Sequence, residues 1–251
     1  MVKKDKVKLI VSDFDGTLLP YGESRLSDDV IHTIKDILSR GAYFAVSSGR
    51  TYTELVQLLP ELSDSIYFTC CDGALTVKGA KPLYERKIEG SDLELFFKAK
   101  SEGFSFILHG FTNNYSVGKI PSEAEGFDTQ PLSGIYSLKE KIFKITSFGE
   151  APVLPEYSSL RMHWDGGSNS VSQFVNRYSN KGTALSDLQT RLMVTKFDTV
   201  ILGDRGNDLA MVKGAKASFC IGDRCKELSN VCNYSFASGI EALKYISENL
   251  I

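Results

Sequence analysis

The chain has 251 residues, and 29 Lys and Arg against 31 Asp and Glu give it a formal net charge of −2. This balance argues against a nucleic-acid binder that depends on excess positive charge, and no apolar run approaches the ~18 residues of a membrane helix. The charged N-terminus is followed by too few apolar residues for an export signal. The sequence therefore predicts a cytoplasmic protein that binds neither nucleic acid nor membrane.

Cysteine and histidine offer little material for a zinc or disulfide site. The five cysteines form no CxxC pair and cannot all pair within one chain, and only three histidines are present. We expect reduced thiols packed as small hydrophobic side chains. A histidine-rich zinc enzyme is disfavoured for the same reason.

The first seventy residues alternate between strand and helix patterns. Three short apolar runs predict buried strands, at residues 8–12, 43–46 and 66–69. A helix that starts at the cap residue Ser27 and stops at Gly41 separates the first two runs, and a second helix ends near Pro60. This order predicts a parallel sheet with helices on both faces.

The pattern changes after Gly73. A helical stretch from Asp92 to Lys100 lies among short alternating segments typical of antiparallel strands. Those segments are residues 104–108, 142–146 and 160–163. From Lys181 onward the first pattern returns, with strands at 199–202 and 218–221 and a terminal helix.

These elements predict an α/β fold with two domains. A Rossmann-like parallel sheet core is expected from residues 1–78 and 178–251, and an inserted α+β cap domain from residues 79–177.

Acidic residues follow two of the predicted core strands. Asp13 and Asp15 come after the first strand, and Asp204 and Asp208 follow the strand at 199–202. Because ligands bind at the carboxyl ends of parallel strands, these residues should converge. Four carboxylates in one place would be costly without a counter-charge. An all-oxygen cluster of this kind predicts a hard cation, above all Mg²⁺.

Four motifs stand in the order seen in haloacid-dehalogenase-superfamily phosphatases. They are Asp13-Phe14-Asp15-Gly16-Thr17-Leu18-Leu19, Ser48-Gly49-Arg50, Lys181-Gly182 and Gly203-Asp204-x-x-Asn207-Asp208-x-x-Met211. The chain most resembles the Cof-type branch, in which a large cap is inserted between the second and third motifs. The resemblance covers nearly the whole chain and implies a Mg²⁺-dependent phosphatase.

The resemblance also implies a role for each motif residue. Asp13 resembles the nucleophile that forms an aspartyl-phosphate, and Asp15 resembles the general acid and base. Mg²⁺ would be held by the Asp13 side chain, the Asp15 carbonyl and Asp204, with Asp208 as a direct ligand or as support. Phosphate binding is implied for Ser48, Gly49, Lys181 and Asn207. Lys181 would in addition offset the charge of Asp13.

Two positions depart from the family pattern. The chain has Cys71-Asp72-Gly73-Ala74 where Asn-Gly-Ala is common, so we do not expect Asp72 to contact phosphate directly. The turn itself should survive, because Gly73 supplies its flexibility. The asparagine that is common near position 223 is also missing, since Asp223 stands there.

The expected substrate is a small phosphorylated metabolite, with a sugar phosphate in first place. Candidate cap contacts to its leaving group are His109, Asn113, Asn114, Tyr115, Arg161, His163, Trp164 and Asp165. One alternative is a phosphomutase of the phosphomannomutase type, which should carry cap arginines for a second phosphate; Arg86 and Arg161 are the candidates for that role. The other is a non-catalytic phosphosugar-binding module, which would need neither a nucleophile nor an acid.

Overall fold

The computed structural model describes residues 6–99, 103–121, 128–149, 153–156, 158–164 and 171–251, without the side chains of residues 163 and 164. The chain forms two compact units. The first comprises Met1–Arg50, Glu54–Tyr84 and Asn180–Ile251, and the second comprises Thr51–Thr53 and Glu85–Ser179. Within the described ranges, no helix is long and apolar enough to cross a membrane.

Strands and helices are numbered in chain order. The strands are β1 (Leu9–Ser12), β2 (Tyr43–Ser47), β3 (Tyr67–Cys70), β4 (Leu75–Lys78), β5 (Lys81–Glu85), β6 (Ser105–His109), β7 (Asn114–Val117), β8 (Thr129–Pro131), β9 (Lys144–Phe148), β10 (Leu160–Trp164), β11 (Val171–Asn176), β12 (Thr199–Gly203), β13 (Ala217–Ile221) and β14 (Tyr234–Phe236). The helices are α1 (Asp28–Ser39), α2 (Tyr52–Leu58), α3 (Gly90–Ala99), α4 (Lys181–Leu192), α5 (Leu209–Val212), α6 (Lys226–Val231) and α7 (Gly239–Leu250).

The first unit contains an eight-stranded sheet in the order β14-β13-β12-β1-β2-β3-β4-β5. Neighbouring strands from β14 to β3 are parallel, whereas β3 and β4 are antiparallel. Ile10 on β1 is in register with Val200 on β12 and Phe44 on β2. The predicted α/β fold with a parallel core is confirmed. The carboxyl ends of β1, β2 and β12 therefore lie side by side.

Local signals place the helices of this unit as the sequence predicts. The Ser27 hydroxyl accepts a hydrogen bond from the Val30 amide and caps α1, whose apolar face is buried. Gly41 follows the helix with a φ of 86°, a conformation that glycine adopts without steric cost. Asn180 caps α4 in a reciprocal capping box with Thr183. The cap fixes Lys181 as the first residue of α4.

The second unit contains a six-stranded sheet in the order β10-β11-β9-β6-β7-β8. Its described pairs are antiparallel except β7 with β8. Phe96 of α3 packs edge-to-face against Phe106 and Phe174, at ring separations of 5.6 and 5.0 Å. The strand predicted at 142–146 instead begins at Lys144. The buried residues Ile142 and Phe143 explain why the apolar run starts earlier.

Candidate active site

Three buried carboxylates converge at the carboxyl ends of β1 and β12. The backbone amide of Asp13 donates to the Leu202 carbonyl at 2.9 Å, which ties the two strand ends together. One carboxylate oxygen from each of Asp13, Asp204 and Asp208 lies within 4.8 Å of the other two. The structure therefore brings together three of the four aspartates that the sequence singles out.

Lys181 provides the counter-charge of this acidic cluster. Its Nζ lies 2.5 Å from Asp13 Oδ1 and 2.7 Å from Asp208 Oδ1, and its side chain is 1% exposed. A Cβ on the next residue, Gly182, would collide with the Ala210 carbonyl, so this glycine lets α4 pack closely against α5. Three carboxylates against one ammonium leave two formal negative charges (3 − 1) when all four groups are ionised.

The pKa values show how crowded the cluster is. Burial raises the pKa of Asp13 to about 8, with Asp208 and Asp204 adding to the shift and Lys181 opposing it. Burial also raises the pKa of Asp204. For Lys181, burial acts to lower the pKa, but the carboxylates of Asp13 and Asp208 outweigh it and raise the pKa above its usual range. A divalent cation would relieve this excess of negative charge.

Asp208 differs from the other two carboxylates because both of its oxygens accept hydrogen bonds from the protein. Oδ1 accepts from Lys181, and Oδ2 accepts from the backbone amides of Asp204 and Arg205 at 3.0 and 3.1 Å. A Cβ on Gly203 would collide with this carboxylate. Asp208 thus braces Lys181 and the backbone that carries Asp204.

The donor set fits a hard divalent cation. Asp204 Oδ1 is buried and has no hydrogen-bond partner among the described residues, a costly state for a carboxylate oxygen unless a cation satisfies it. Carboxylate and carbonyl oxygens are the ligands that Mg²⁺ prefers. Asp13, Asp204 and the Asp15 carbonyl are available as such ligands.

The Asp15 side chain lies outside the acidic cluster and pairs with Arg50. The Arg50 Nη2 is 2.7 Å from Asp15 Oδ1, and Nε lies 3.1 and 2.9 Å from the two carboxylate oxygens. The hydrogen bonds to Asp15 raise the pKa of Arg50 above its usual value. Sequence reasoning did not assign a role to Arg50, although it stands directly after Ser48 and Gly49 in the second motif.

The predicted phosphate-binding residues lie around the turn after β3. The Ser48 amide donates to the Thr69 carbonyl, and the Ser48 Oγ accepts from the Arg50 amide at 3.1 Å, so the hydroxyl proton can be donated to a ligand. The Asp72 amide donates to the Ser48 carbonyl. A Cβ built on Gly49 would come within 3.1 Å of the Asp72 carboxylate.

Asp72, which stands where the family commonly has asparagine, is buried in the turn after β3. Asp72 is 2% exposed and has a φ of 53°, and its carboxylate lies 3.5 Å from the Asn207 side-chain nitrogen. A Cβ on the next residue, Gly73, would collide with the Asn180 carbonyl. The turn therefore packs against the start of α4, directly beside Lys181.

Two of the predicted leaving-group contacts, His109 and Asn114, are buried inside the second unit. His109 is fully buried. Its Nδ1 lies 2.9 Å from Asn114 Oδ1, and its Nε2 lies 2.8 Å from Thr146 Oγ1. The expectation that His109 contacts substrate is therefore corrected. Burial, with Lys144 adding to it, lowers the pKa of His109 to about 3. His109 and Asn114 belong to the interior of the second unit.

The remaining candidates of that unit are also largely engaged or not described. Glu140, which sequence reasoning missed, accepts hydrogen bonds from the Asn113 amide and side chain and from the Tyr115 hydroxyl. Arg161 donates to the Ser179 carbonyl at 2.7 Å. The side chains of His163 and Trp164, and all of Asp165, lie outside the described residues.

Comparison with known proteins identifies the class. Residues 10–241 match the family model of haloacid dehalogenase-like hydrolases. The chain belongs to this family. The 5-amino-6-(5-phospho-D-ribitylamino)uracil phosphatase YcsE of Bacillus subtilis is 24% identical over 94% of this chain and 92% of its own length. The Escherichia coli phosphatase YbjI, named for the same substrate, is 21% identical over 86% and 85%.

Solved structures share the fold over the whole length. The phosphatase BT1666 of Bacteroides thetaiotaomicron has a TM-score of 0.81 at 19% identity and covers 98% of this chain and 97% of its own. The sugar phosphatase BT4131 has a TM-score of 0.76 at 17% identity, covering 96% and 97%. With its family and its phosphatase relatives, the protein is a phosphoric monoester hydrolase, which removes the non-catalytic binding module from consideration.

Proposed function

We propose that the protein is a Mg²⁺-dependent phosphatase that hydrolyses a small phosphorylated metabolite, above all a sugar phosphate, through an aspartyl-phosphate. The observation that carries this proposal is the separation of two carboxylates of one motif. Asp13 lies in a buried cluster with Lys181 and Asp204, whereas Asp15 is held apart by Arg50. One carboxylate is thus placed for attack and the other for proton transfer.

In the proposed first step, an oxygen of Asp13 attacks phosphorus while the protonated form of Asp15 gives its proton to the leaving alkoxide, and the carboxylate so formed is the ionised form that pairs with Arg50. Lys181, already 2.5 Å from Asp13, would offset the charge of the attacking carboxylate and of the phosphate. In the second step Asp15 takes a proton from water, which attacks the phosphorus and releases Asp13.

The phosphate oxygens would be bound by the Ser48 hydroxyl, the Gly49 amide, Lys181 and Asn207. Mg²⁺ held by Asp13, the Asp15 carbonyl and Asp204 would neutralise negative charge where two anions approach each other. Because both oxygens of Asp208 already accept protein hydrogen bonds, we assign it the supporting role.

We assign selection of the leaving group to the predicted cap, without its first residues, because β5 belongs to the sheet of the first unit and the main segment of the second unit begins at Glu85. The phosphomutase alternative would need cap arginines for a second phosphate, and one of the two candidates, Arg161, already donates to a backbone carbonyl of its own unit. The proposed setting is the cytoplasm, in keeping with five cysteines that are all free thiols.

The test is phosphate release from an aryl phosphate and from a panel of sugar phosphates, with Mg²⁺, with Ca²⁺ and with EDTA. The panel includes the ribityl phosphate for which the two curated relatives are named. We expect activity with Mg²⁺, little with Ca²⁺, whose coordination is looser, and none with EDTA. Full activity in metal-free protein would contradict the proposal.

A further inference from the structure

Tyr21 touches the acidic cluster and is not part of any motif that the family resemblance supplies. Its hydroxyl lies 2.7 Å from Asp204 Oδ2 and 3.2 Å from the Asp15 carbonyl oxygen. Both partners are among the proposed Mg²⁺ ligands. A neutral phenol has one proton to donate, and the shorter contact to a carboxylate is the stronger hydrogen bond.

The tight turn after Asp15 brings Tyr21 back to the strand ends. The Gly16 amide donates to the Leu19 carbonyl at 2.7 Å and closes the turn. Gly16 has a φ of 86°, and a Cβ there would collide with both Asp204 Oδ2 and the Tyr21 ring. The absence of a side chain at Gly16 is therefore what leaves room for the tyrosine against Asp204.

Two arginines hold the ring of Tyr21 in place. The guanidinium carbon of Arg224 lies 4.1 Å from the ring centroid, and that of Arg205 lies 4.9 Å from it. Both distances are within the range of cation–π attraction. Tyr21 is 39% exposed, so the two guanidinium groups restrain part of the ring while the rest of it faces solvent.

The two oxygens of Asp204 consequently have different surroundings. Oδ2 accepts the Tyr21 hydrogen bond, whereas Oδ1 is buried without a partner in the described part of the chain. We infer that Tyr21 is a positioning residue of the metal site, whose hydroxyl fixes Asp204 through Oδ2 and thereby presents Oδ1 to the cation. Partners of this kind fix the orientation of a ligating carboxylate before the metal arrives.

This inference rests on the proposed function, and its test is the equilibrium binding of Mg²⁺ measured by calorimetry. Tyr21→Phe keeps the ring and its arginine contacts and removes only the hydroxyl. We expect its Kd for Mg²⁺ to rise about 10-fold, because loss of such a partner weakens metal binding by that order. At saturating Mg²⁺, kcat should return to the wild-type value.

Tyr43→Phe is the matched control, because Tyr43 is 40% exposed and begins β2, at the opposite end of the strand from the site. It should bind Mg²⁺ as the wild type does, and circular dichroism in EDTA should show that all three proteins are folded at the temperature of the binding experiment. An unchanged Kd in Tyr21→Phe would overturn the inference alone. A wild-type protein that binds no Mg²⁺ would overturn the proposed function and this inference with it.

Discussion

Replacing Lys181 by Met tests whether the buried ammonium stabilises the acidic cluster. Methionine has a similar length and no charge, so the substitution removes both ion pairs, at 2.5 Å to Asp13 and 2.7 Å to Asp208, with little change in volume. Leaving a buried charge unpaired costs about 3–5 kcal/mol in free energy of unfolding. The pKa of Asp13 is already raised to about 8, and without Lys181 it should rise further.

The raised pKa of Asp13 determines how the effect of Lys181→Met on the free energy of unfolding changes with pH. A carboxyl whose pKa is higher in the folded than in the unfolded state stabilises the fold at low pH and loses this effect as pH rises. The wild-type carboxyl ionises as pH rises through about 8 and that of the variant does so only at higher pH, so the destabilisation of Lys181→Met should grow as pH rises from about 8 upward.

The assay is urea unfolding in EDTA, so that bound metal does not mask the loss. Lys244→Met is the control, because Lys244 forms a 3.1 Å ion pair with Asp29 in which both side chains are more than half exposed. That exposed pair should contribute less than about 1 kcal/mol. If Lys181→Met were no less stable than Lys244→Met, the electrostatic account of the cluster would be wrong.

Two further predictions concern a buried histidine and the partner of Asp15. The pKa of His109 is lowered to about 3, so its stabilising effect is present above the unfolded value of 6.5 and is lost as pH falls. The free energy of unfolding at about pH 5 should be roughly 2 kcal/mol below that at about pH 7.5, and urea unfolding of His109→Gln should show a smaller difference. Arg50→Lys keeps the charge but loses the forked contact to Asp15. Its kcat should fall about 10-fold or more on sugar phosphates and much less on aryl phosphates, whose leaving group needs little protonation; equal losses on both would show that Arg50 does not act through Asp15.

Most of the core fold could be predicted from local patterns. The Ser27 cap, the stop at Gly41 and the apolar run ending at Ser12 each depend on neighbours within a few residues. The strands β4, β5 and β14 of the core sheet were not predicted, and β5 was assigned to the cap. Strand β14 has only three residues, and the polar Thr76 interrupts the apolar pattern of β4.

The meeting of Asp13, Asp204 and Asp208 was predictable because parallel strands end at the same edge of a sheet. Hydrogen bonds between side chains that a loop brings together could not be predicted in this way. Tyr21 reaches Asp204 only because a turn of particular geometry reverses the chain at Gly16.

The burial of His109 inside the second unit could not be predicted from sequence. His109 occurs in an alternating strand pattern beside asparagines, which is also how a sugar-binding histidine would occur in sequence. Its Nε2 lies within hydrogen-bond distance of the Thr146 side chain on the neighbouring strand β9, 37 positions away in sequence. Periodicity alone does not show which side of a strand will be covered.

The central claim is that Asp13 is the residue that receives the phosphoryl group. The most direct measurement is a rapid acid quench of enzyme during turnover with Mg²⁺, followed by mass spectrometry of its peptides. We predict a phosphoryl group on Asp13 and complete loss of both the label and turnover in Asp13→Asn, whose amide is a far weaker nucleophile of nearly the same shape. Wild-type turnover in a pure Asp13→Asn protein, or a phosphoryl group on another residue, would contradict the account.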